Sequence, residues 1–314
     1  MLFKTKQRPG WLSLAVSRDR VDITHACRAA NGRPTITLCE SYRREGSLAH
    51  TMGRLRRERG LDQFRLTTLM PGGQYQLFQI DAPAVAAGEL ASALRWRIKD
   101  LVDFPVETAV IEALTIPVDG AAGGRASQVF AVVARPDAVR QHAEPLEASG
   151  LALAAVDIQE LAQRNVCALF EVDGRGAALL AFDDTGGLLT VTHGGELFLA
   201  RRVDQSLLAL AQLPDSERDA ALGRITLEVQ RSLDHFDRQC GAVALGTLLL
   251  AGVGPVDELC EQLAESLYLP VRPLDLAEVA DFPAIPELRT AQRQAQCLAG
   301  IGAALRGEAD ARAA

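Results

Sequence analysis

Near the amino terminus stands Trp11-Leu-Ser-Leu-Ala-Val16-Ser-Arg-Asp-Arg20-Val-Asp-Ile-Thr-His-Ala26, two alternating apolar stretches separated by a short polar turn. Apolar residues at every second position are typical of β-strands. Asn31-Gly32 follows as a hairpin signal, because both residues of such a turn need positive φ. A third strand is predicted over 34–39 and a helix over 48–59. This part of the chain therefore predicts three consecutive antiparallel strands followed by a helix.

The same order of elements returns at Ala177. A strand over 178–182, the turn Asp183-Asp-Thr-Gly-Gly187, a strand over 188–192, the turn Gly194-Gly195 and a strand over 196–202 precede a helix that begins near Gln205. A repeated supersecondary unit indicates a duplicated domain. We therefore predict an α/β protein with a duplicated actin/hexokinase-like core, of the ribonuclease H-like type. In such a core the first turn of each half faces a shared cleft.

Between the two halves the pattern changes. Strands are predicted over 75–80, 109–116, 128–134 and 151–156, helices over 88–104 and from Arg135-Pro136 to Gly150, and a glycine-rich loop over 120–124. The order βαββαβ is that of a ferredoxin-like unit. The predicted domains are 1–74 for the first part of the core, 75–156 for an inserted βαββαβ subdomain, 157–306 for the rest of the core and 307–314 for a disordered tail.

The composition is that of a soluble globular protein, with 48% apolar and 23% charged residues. A net charge of -7 argues against nonspecific nucleic-acid binding and against a basic membrane anchor. The six cysteines form no CxxC pair, which predicts reduced thiols in the cytoplasm rather than a zinc site. The longest weakly polar run, 242–256, is broken by glycines and a proline and is shorter than the roughly 20 residues that a spanning helix needs.

Four segments resemble one family, the PilM, GspL and MshI proteins of type IV pilus and secretion assembly. Leu94-Arg-Trp-Arg-Ile-Lys-Asp-Leu-Val-Asp-Phe-Pro105 is similar to the helix of the family's inserted subdomain, and 148–157 is similar to the exit from it. Glu228-Val-Gln-Arg-Ser-Leu-Asp-His-Phe236 resembles the PilM helix E-x-x-R-S-L-x-x-Y/F. Leu249-Leu-Ala-Gly-Val-Gly-Pro255 stands in the place of the glycine motif on the adenosine side. The likeness extends from about Trp11 to Ala304.

The resemblance implies a scaffold or assembly protein at the inner face of the inner membrane. Such a protein would dock the short cytoplasmic tail of an inner-membrane PilN- or MshJ-like partner in the groove between the inserted subdomain and the first half. The lack of a predicted spanning segment favours the PilM and MshI groups over GspL. Between these two groups, the sequence of residues 93–100 favours the MshI group, which serves MSHA-type pili.

The resemblance also implies a nucleotide cleft, whose residues would be Ser17, Asp184, Thr185, Gly186, Gly187, Glu228, Arg231, Gly252 and Gly254. Relatives that bind ATP carry Asp-x-Gly after the first strand, where an Asp would hold Mg²⁺ or its waters. This chain has Ala15-Val16-Ser17 there, and Ser17 offers one hydroxyl but no carboxylate. In the second half, either Asp184-Thr185-Gly186 is the motif, or alignment backwards from Gly195 places the family's Asp at Ala181.

The remaining cleft residues also allow two interpretations. Gly252 and Gly254 either let the backbone approach an adenine ring or simply connect a buried strand to a helix. Glu228 and Arg231 either face ribose and phosphates, as the family helix does, or are exposed positions beside the apolar stripe of that helix. The leading hypothesis is therefore an interaction protein, and the alternative is an ATPase that binds Mg-ATP in the interdomain cleft. No catalytic or metal-ligating residue is predicted.

Overall fold

The structure is a computed structural model that describes residues 7–28, 33–85, 89–117 and 128–307. Asn31-Gly32, the glycine-rich loop 120–124, the first residue of the predicted helix 88–104 and all but the first residue of the predicted tail lie outside the described residues.

The strands are β1 (Trp11–Val16), β2 (Arg20–Cys27), β3 (Thr35–Arg43), β4 (Arg65–Leu69), β5 (Tyr75–Asp81), β6 (Val110–Ile116), β7 (Gln128–Ala134), β8 (Leu153–Asp157), β9 (Gly176–Phe182), β10 (Gly187–His193), β11 (Glu196–Val203), β12 (Leu245–Ala251) and β13 (Val271–Pro273). The helices are α1 (Leu48–Arg59), α2 (Leu90–Ile98), α3 (Pro136–Glu147), α4 (Gln159–Cys167), α5 (Leu207–Leu210), α6 (Asp215–Gln239), α7 (Val256–Ser266) and α8 (Ala291–Ala304).

Two five-stranded sheets have the same order of strands. The first runs β3-β2-β1-β4-β8 and the second runs β11-β10-β9-β12-β13. In each, the first three strands along the chain are antiparallel to one another. The fourth strand pairs in parallel with the central strand, and the fifth pairs in parallel with the fourth. The duplication predicted from the sequence is therefore confirmed, strand for strand.

Helix α1 shows how local sequence fixes these bounds. The Ser47 hydroxyl accepts a hydrogen bond from the His50 N–H at 3.2 Å, which satisfies one of the free donors of the first turn. Gly60 ends the helix with φ of 62°, a left-handed conformation that glycine adopts without a Cβ penalty. Met52 and Leu55 face the first sheet and are fully buried. The helix spans the residues that the sequence predicted.

The last helix of each half packs on the other half. Helix α8 follows the second sheet but lies against β1 and β2, while α4 follows the first sheet and lies against β10. The Ser13 hydroxyl donates to the Gly300 carbonyl at 2.6 Å, and the Gln163 amide donates to the carbonyls of Leu179 and Leu188. A Cβ added to Gly302 would stand 2.0 Å from the Ala162 carbonyl oxygen. The two helices therefore cross at backbone contact, which only glycine permits at this position.

The structure divides the predicted βαββαβ stretch between two sheets. Strands β5, β7 and β6 form a separate three-stranded sheet, with α2 packed on β6. Strand β8, in contrast, pairs in parallel with β4 and completes the first main sheet. Helix α3 packs on α1 and buries Leu146 in the core of the first half. The inserted module, which we define as residues 75–134, thus has the order βαββ. The physical reason is that the backbone N–H and carbonyl groups on the outer side of β4 need hydrogen-bond partners, which β8 provides by pairing with it in parallel.

The inserted module has a small core of its own and a second contact surface. Leu94, Ile98 and Val129 are among the side chains buried inside it. Ile116 and Phe130 instead join the core of the second half. The module therefore bridges the two halves. Among the described residues, none of the helices combines the length and the apolar character needed to span a bilayer.

Candidate functional site

The turn after β1 is closed by its own hydrogen bonds. Residues 17–19 connect β1 to β2, and the N–H and the hydroxyl of Ser17 both donate to the Arg20 carbonyl, at 2.9 and 3.1 Å. The Arg44 guanidinium donates to the carbonyls of Ser17 and Arg18, at 3.0 Å each. Both donors of Ser17 are therefore used inside the hairpin, on the Arg20 carbonyl, and neither is free for a phosphate.

The corresponding turn of the second half, 183–186, carries a built-in anion. Val16 and Phe182 are the last paired residues of β1 and β9, so Ala15-Val16-Ser17 corresponds in register to Ala181-Phe182-Asp183. The position of the family's Asp then falls on Ala181, as in the second of the two alignments, and Asp184-Thr185-Gly186 lies further along the turn. The carboxylate of Asp183 accepts from the N–H of Thr185 at 2.7 Å and from the N–H of Gly186 at 3.1 Å. These are the backbone donors that a phosphate would need. In this turn the Asp183 carboxylate accepts both of these hydrogen bonds itself.

The glycine segment after β12 is packed against a helix. A Cβ on Gly252 would lie 3.0 Å from Leu207 Cδ1, and a Cβ on Gly254 would lie 2.6 Å from the Leu207 carbonyl oxygen. Gly254 also has φ of 127°, which favours glycine. Leu207 begins the short helix α5 and is fully buried. Both glycines therefore allow α5 to approach the end of β12. This contact supports the interpretation that they connect a buried strand to a helix.

The predicted cleft residues do not line one common cavity. A cavity of about 310 Å³ lies beside Gly252 and Gly254, between the ends of β12 and β13 and the start of α8. Glu228 and Arg231 line a different groove, formed by α6 and the end of β11. No member of the predicted set lines both. Since the N–H groups of Thr185 and Gly186 already donate to Asp183 and residues 15–17 carry no carboxylate, these residues do not fit Mg-ATP, and we derive no chemistry from it.

A polar network crosses the interface where these parts meet. The Arg202 guanidinium of β11 donates to the Glu160 carboxylate at 2.8 Å, to the Tyr75 hydroxyl at 3.0 Å and to the Gln159 side chain at 3.2 Å. Tyr75 donates to Glu160 at 2.6 Å, and Gln159 donates to Asp183 at 2.9 Å. Burial and the neighbouring Glu160 raise the pKa of Tyr75, so its hydroxyl stays a donor. The network joins the inserted module, α4 and the second half.

An apolar groove of about 250 Å³ lies between the inserted module and the first half, and we call it the two-edge groove. It is lined by Val110, Glu112, Ala113, Leu114, Val132, Ala155, Val156, Asp157, Ile158, Leu161, Arg164 and Arg306. Strand β6 is the last strand of the module's sheet, and β8 is the last strand of the first main sheet. One outer strand from each sheet thus contributes to the same groove.

The exposed apolar side chains of the two-edge groove distinguish it from an ordinary crevice. Val110 on β6 and Val156 on β8 are 41% and 36% exposed, so both leave apolar surface in contact with solvent. Burial raises the pKa of the Glu112 carboxyl, which also lines the groove and follows Val110 by two residues on β6. In the same lining, Arg306 donates to the buried Asp157 carboxylate at 2.8 Å. The groove therefore offers apolar contacts beside a buried ion pair.

A second groove, of about 410 Å³, lies where the module meets α3. Its lining is more polar and includes Gln74, Gln76, Asp103, Phe104, Arg135 and Gln141. Arg135 pairs with Asp103 at 3.1 Å and stacks on the Phe104 ring. These contacts join the segment after α2 to the start of α3, so part of the polar lining of this groove is already paired internally.

Sequence reasoning missed the residues that hold this region together. Tyr75, Glu160 and Arg202 come from three separate elements, and no local spacing connects them. Strand β8 was predicted, but in the wrong sheet, so its outer edge was not foreseen. The sequence does contain a signal for the position of β8. The alternating residues 153–157 follow directly after the helix predicted to end at Gly150, and a strand directly after a helix is typical of a parallel βαβ unit.

No protein-family model matches the sequence, and no curated protein sequence matches it. Among solved structures, the PilM–PilN type IV pilus biogenesis complex is similar with a TM-score of 0.73 and 21% identity, over 95% of this chain and 98% of that chain. The ethanolamine utilization protein EutJ from Carboxydothermus hydrogenoformans has a TM-score of 0.48 and 9% identity, over 97% of this chain and 92% of that chain. The cytoplasmic domain of EpsL, an inner-membrane component of the type II secretion system of Vibrio cholerae, has a TM-score of 0.43 and 16% identity, over 83% of this chain and 96% of that chain. The chain has the actin-like ATPase fold, in a PilM-like form.

Proposed function

We propose that this chain is a cytoplasmic assembly protein of a type IV pilus or a related secretion machine. It docks the cytoplasmic tail of an inner-membrane PilN-like partner in the two-edge groove. The observation that carries the proposal is the meeting of two outer strands, β6 and β8, at one apolar groove. The fold shared with a structure of PilM and PilN supports it.

The two outer strands suit an extended peptide. An outer strand has backbone donors and acceptors along one side that its own sheet does not use, and a peptide can add to it as a further strand. Pockets for alternate side chains then give specificity. In the two-edge groove, the exposed Val110 and Val156 offer apolar contacts to such side chains. A short tail with alternating apolar residues fits this lining.

The finer assignment rests on two features of the sequence. The sequence of residues 93–100 and the lack of a carboxylate at 15–17 favour the MshI group, so we propose an MSHA-type pilus as the system and an MshJ-like protein as the partner. In this arrangement the chain reaches the inner face of the membrane through its partner.

Charge introduced into the two-edge groove is expected to abolish tail binding. In the variant Val110→Lys/Val156→Lys, affinity for a synthetic peptide of the partner's cytoplasmic tail should fall at least about tenfold, because two ammonium groups would have to be desolvated on binding. Fluorescence polarisation measures the affinity. The midpoint of thermal unfolding should stay within a few degrees, because both side chains are already exposed.

Val172→Lys is the matched control, because Val172 is 57% exposed and does not line the groove. It should bind the tail as the unchanged protein does. The proposal fails if the folded protein does not bind the tail, or if the groove variant and the control bind it equally well.

The alternative function, an ATPase that binds Mg-ATP, is testable by thermal stability. A site with a dissociation constant of about 10 μM would stabilise the protein by roughly 2.7 kcal/mol at 1 mM ligand. We expect Mg-ATP at that concentration to leave the unfolding midpoint unchanged, because the Asp183 carboxylate holds the N–H groups of the turn.

Asp184→Ala separates the two functions better than Gly252→Val does. Asp184 is exposed, so its removal should not disturb packing, whereas any Cβ at Gly252 meets Leu207. A clear upward shift of the midpoint with Mg-ATP that disappears in Asp184→Ala would restore the nucleotide-binding hypothesis.

A further inference from the structure

A basic groove lies on the second half of the protein, along the helix that carries the Glu228 segment. Its volume is about 520 Å³, and it is lined by Arg201, Gln205, Arg224, Leu227, Glu228, Arg231, Ser232 and His235. Strand β11, which provides Arg201, is the last strand of the second sheet. We call this surface the arginine groove. It shares no lining residue with the two-edge groove.

The arginines of this groove are not used within the fold. Among the described residues, neither Arg224 nor Arg231 is within ion-pair distance of a carboxylate, and the Arg201 guanidinium donates only to its neighbour's carbonyl, at 3.3 Å. Arg218, on the same helix, is in contrast paired with both Asp215 and Glu258. In a chain with a net charge of -7, three arginines around one groove form a surface of the opposite sign.

The negative groups near the groove do not neutralise it. Glu228 is the carboxylate in the lining, and Asp204 lies close to it. Burial, with a smaller contribution from Asp204, raises the pKa of Glu228. The lining therefore carries three guanidinium groups against one carboxylate.

The spacing of the arginines favours an extended ligand over a compact one. Arg224 and Arg231 are seven residues apart on one helix, which separates their Cα atoms by roughly 10 Å along its axis. A single phosphate requires donors that converge on one point. An extended peptide places alternate side chains on one side about 7 Å apart, so acidic residues at every second position can each reach an arginine.

A buried acceptor in the groove also awaits a donor. The side-chain oxygen of Gln205 is buried and has no hydrogen-bond partner in the described part of the protein. Buried polar atoms are nearly always paired, and Gln205 is one of several described side chains with such an atom. After the Gln205 side chain turns toward the groove, the backbone N–H of an extended peptide would donate to this oxygen. Leu227, 45% exposed on the same groove, offers an apolar contact beside the charges.

We propose that the arginine groove binds an extended acidic segment of a partner protein, with Asp or Glu at alternate positions. Arg201, Arg224 and Arg231 pair with its carboxylates, and Gln205 accepts from its backbone. This surface is separate from the tail-docking site, and the chain would thereby hold two partners at once.

The test uses the full chain and a fluorescein-labelled nine-residue peptide of alternating glutamate and serine, followed by fluorescence polarisation at low ionic strength. The peptide should bind, the affinity should fall steeply with added salt, and Arg224→Gln/Arg231→Gln should lower it at least about tenfold. The control Arg140→Gln/Arg289→Gln removes the same charge from exposed positions outside the groove and should leave binding unchanged. Peptides of alternating glutamine and serine should not bind.

Three outcomes would overturn the proposal. The glutamate peptide fails to bind, or it binds both double variants equally, or Mg-ATP displaces it, which would make the groove a nucleotide site. Loss of binding to the partner tail in Val110→Lys/Val156→Lys bears on the two-edge groove alone, so the two proposals fail separately.

Discussion

Gly302→Ala is expected to lower the free energy of unfolding by roughly 3 kcal/mol or more, and it can prevent folding altogether. Overpacked cores lose about 1–3 kcal/mol in most cases and more when the obstacle cannot move. Here the added Cβ would stand 2.0 Å from the carbonyl oxygen of Ala162 and 2.5 Å from its carbonyl carbon. Both atoms belong to the backbone of α4, so no side-chain rotation relieves the clash. Helices α4 and α8 would have to separate, and with them the two halves.

Gly223→Ala is the matched control. Gly223 lies in the interior of α6, and a Cβ there would meet nothing within 4 Å. Because alanine favours the helix over glycine by about 1 kcal/mol, this variant should be slightly more stable than the unchanged protein. Urea unfolding measures both free energies. Equal effects of the two substitutions would show that the close crossing of α4 and α8 is not formed.

Arg306→Met is expected to cost about 3 kcal/mol at pH 7. The side chains of Arg306 and Asp157 are 10% and 1% exposed, and their contact at 2.8 Å lies in the lining of the two-edge groove. Removing one partner of a buried pair leaves the other charge uncompensated in a poorly solvated position, which costs about 3–5 kcal/mol. The lower figure applies here because the Ile158 N–H still donates to Asp157.

The loss should depend on pH with a definite sign. Burial raises the pKa of the Asp157 carboxyl, and Arg306 opposes that rise. Without Arg306 the pKa in the folded state moves further above the unfolded value of about 4. A carboxyl with a raised folded pKa binds its proton more tightly in the folded state, so its favourable contribution is present below the unfolded pKa and is lost as the pH rises through the folded pKa. The stability deficit of Arg306→Met should therefore grow between pH 4 and pH 8.

The exposed pair Arg56–Asp62, at 2.6 Å with side chains 38% and 53% exposed, provides the comparison. Arg56→Met should cost less than about 1 kcal/mol, since surface ion pairs contribute little. The double variant Asp157→Asn/Arg306→Met should regain part of the loss, because no buried charge remains. A deficit for Arg306→Met that is independent of pH would mean that lost packing on Trp11, not the charge of Asp157, causes it.

The strands that could be predicted are those whose pattern is local. Alternation and strong turn residues fixed β1, β2, β9 and β10, and the repeated order predicted the duplication. Strand β4 was not predicted, because Arg65-Leu-Thr-Thr-Leu69 has only two large apolar residues. Its threonines are buried between parallel neighbours, and the Thr68 hydroxyl donates to the Leu14 carbonyl at 2.8 Å. Burial of that kind depends on residues far away in the chain.

Helix α4 was missed for a related reason. Glu160, Gln163, Arg164 and Asn165 are all buried, although the hydropathy of such a segment indicates a surface helix. Gln163 satisfies carbonyls of the second sheet, and Asn165 donates to the Gly302 carbonyl at 2.9 Å. The predicted nucleotide cleft shows the same limit. The sequence places Asp184 in the turn between two strands, but only the structure shows that Asp183 binds the N–H groups of that turn.

The exchange of helices between the halves also constrains how the chain folds as it is made. Domains commonly fold in the order in which the ribosome releases them, the amino-terminal one first. Here the helix that covers β1 and β2 is α8, which follows the whole of the second sheet in the sequence. One face of the first sheet must therefore stay unprotected until residues 291–304 have left the ribosome. A ribosome that stalls before residue 291 would release a chain with that face exposed, a ready substrate for chaperones and proteases.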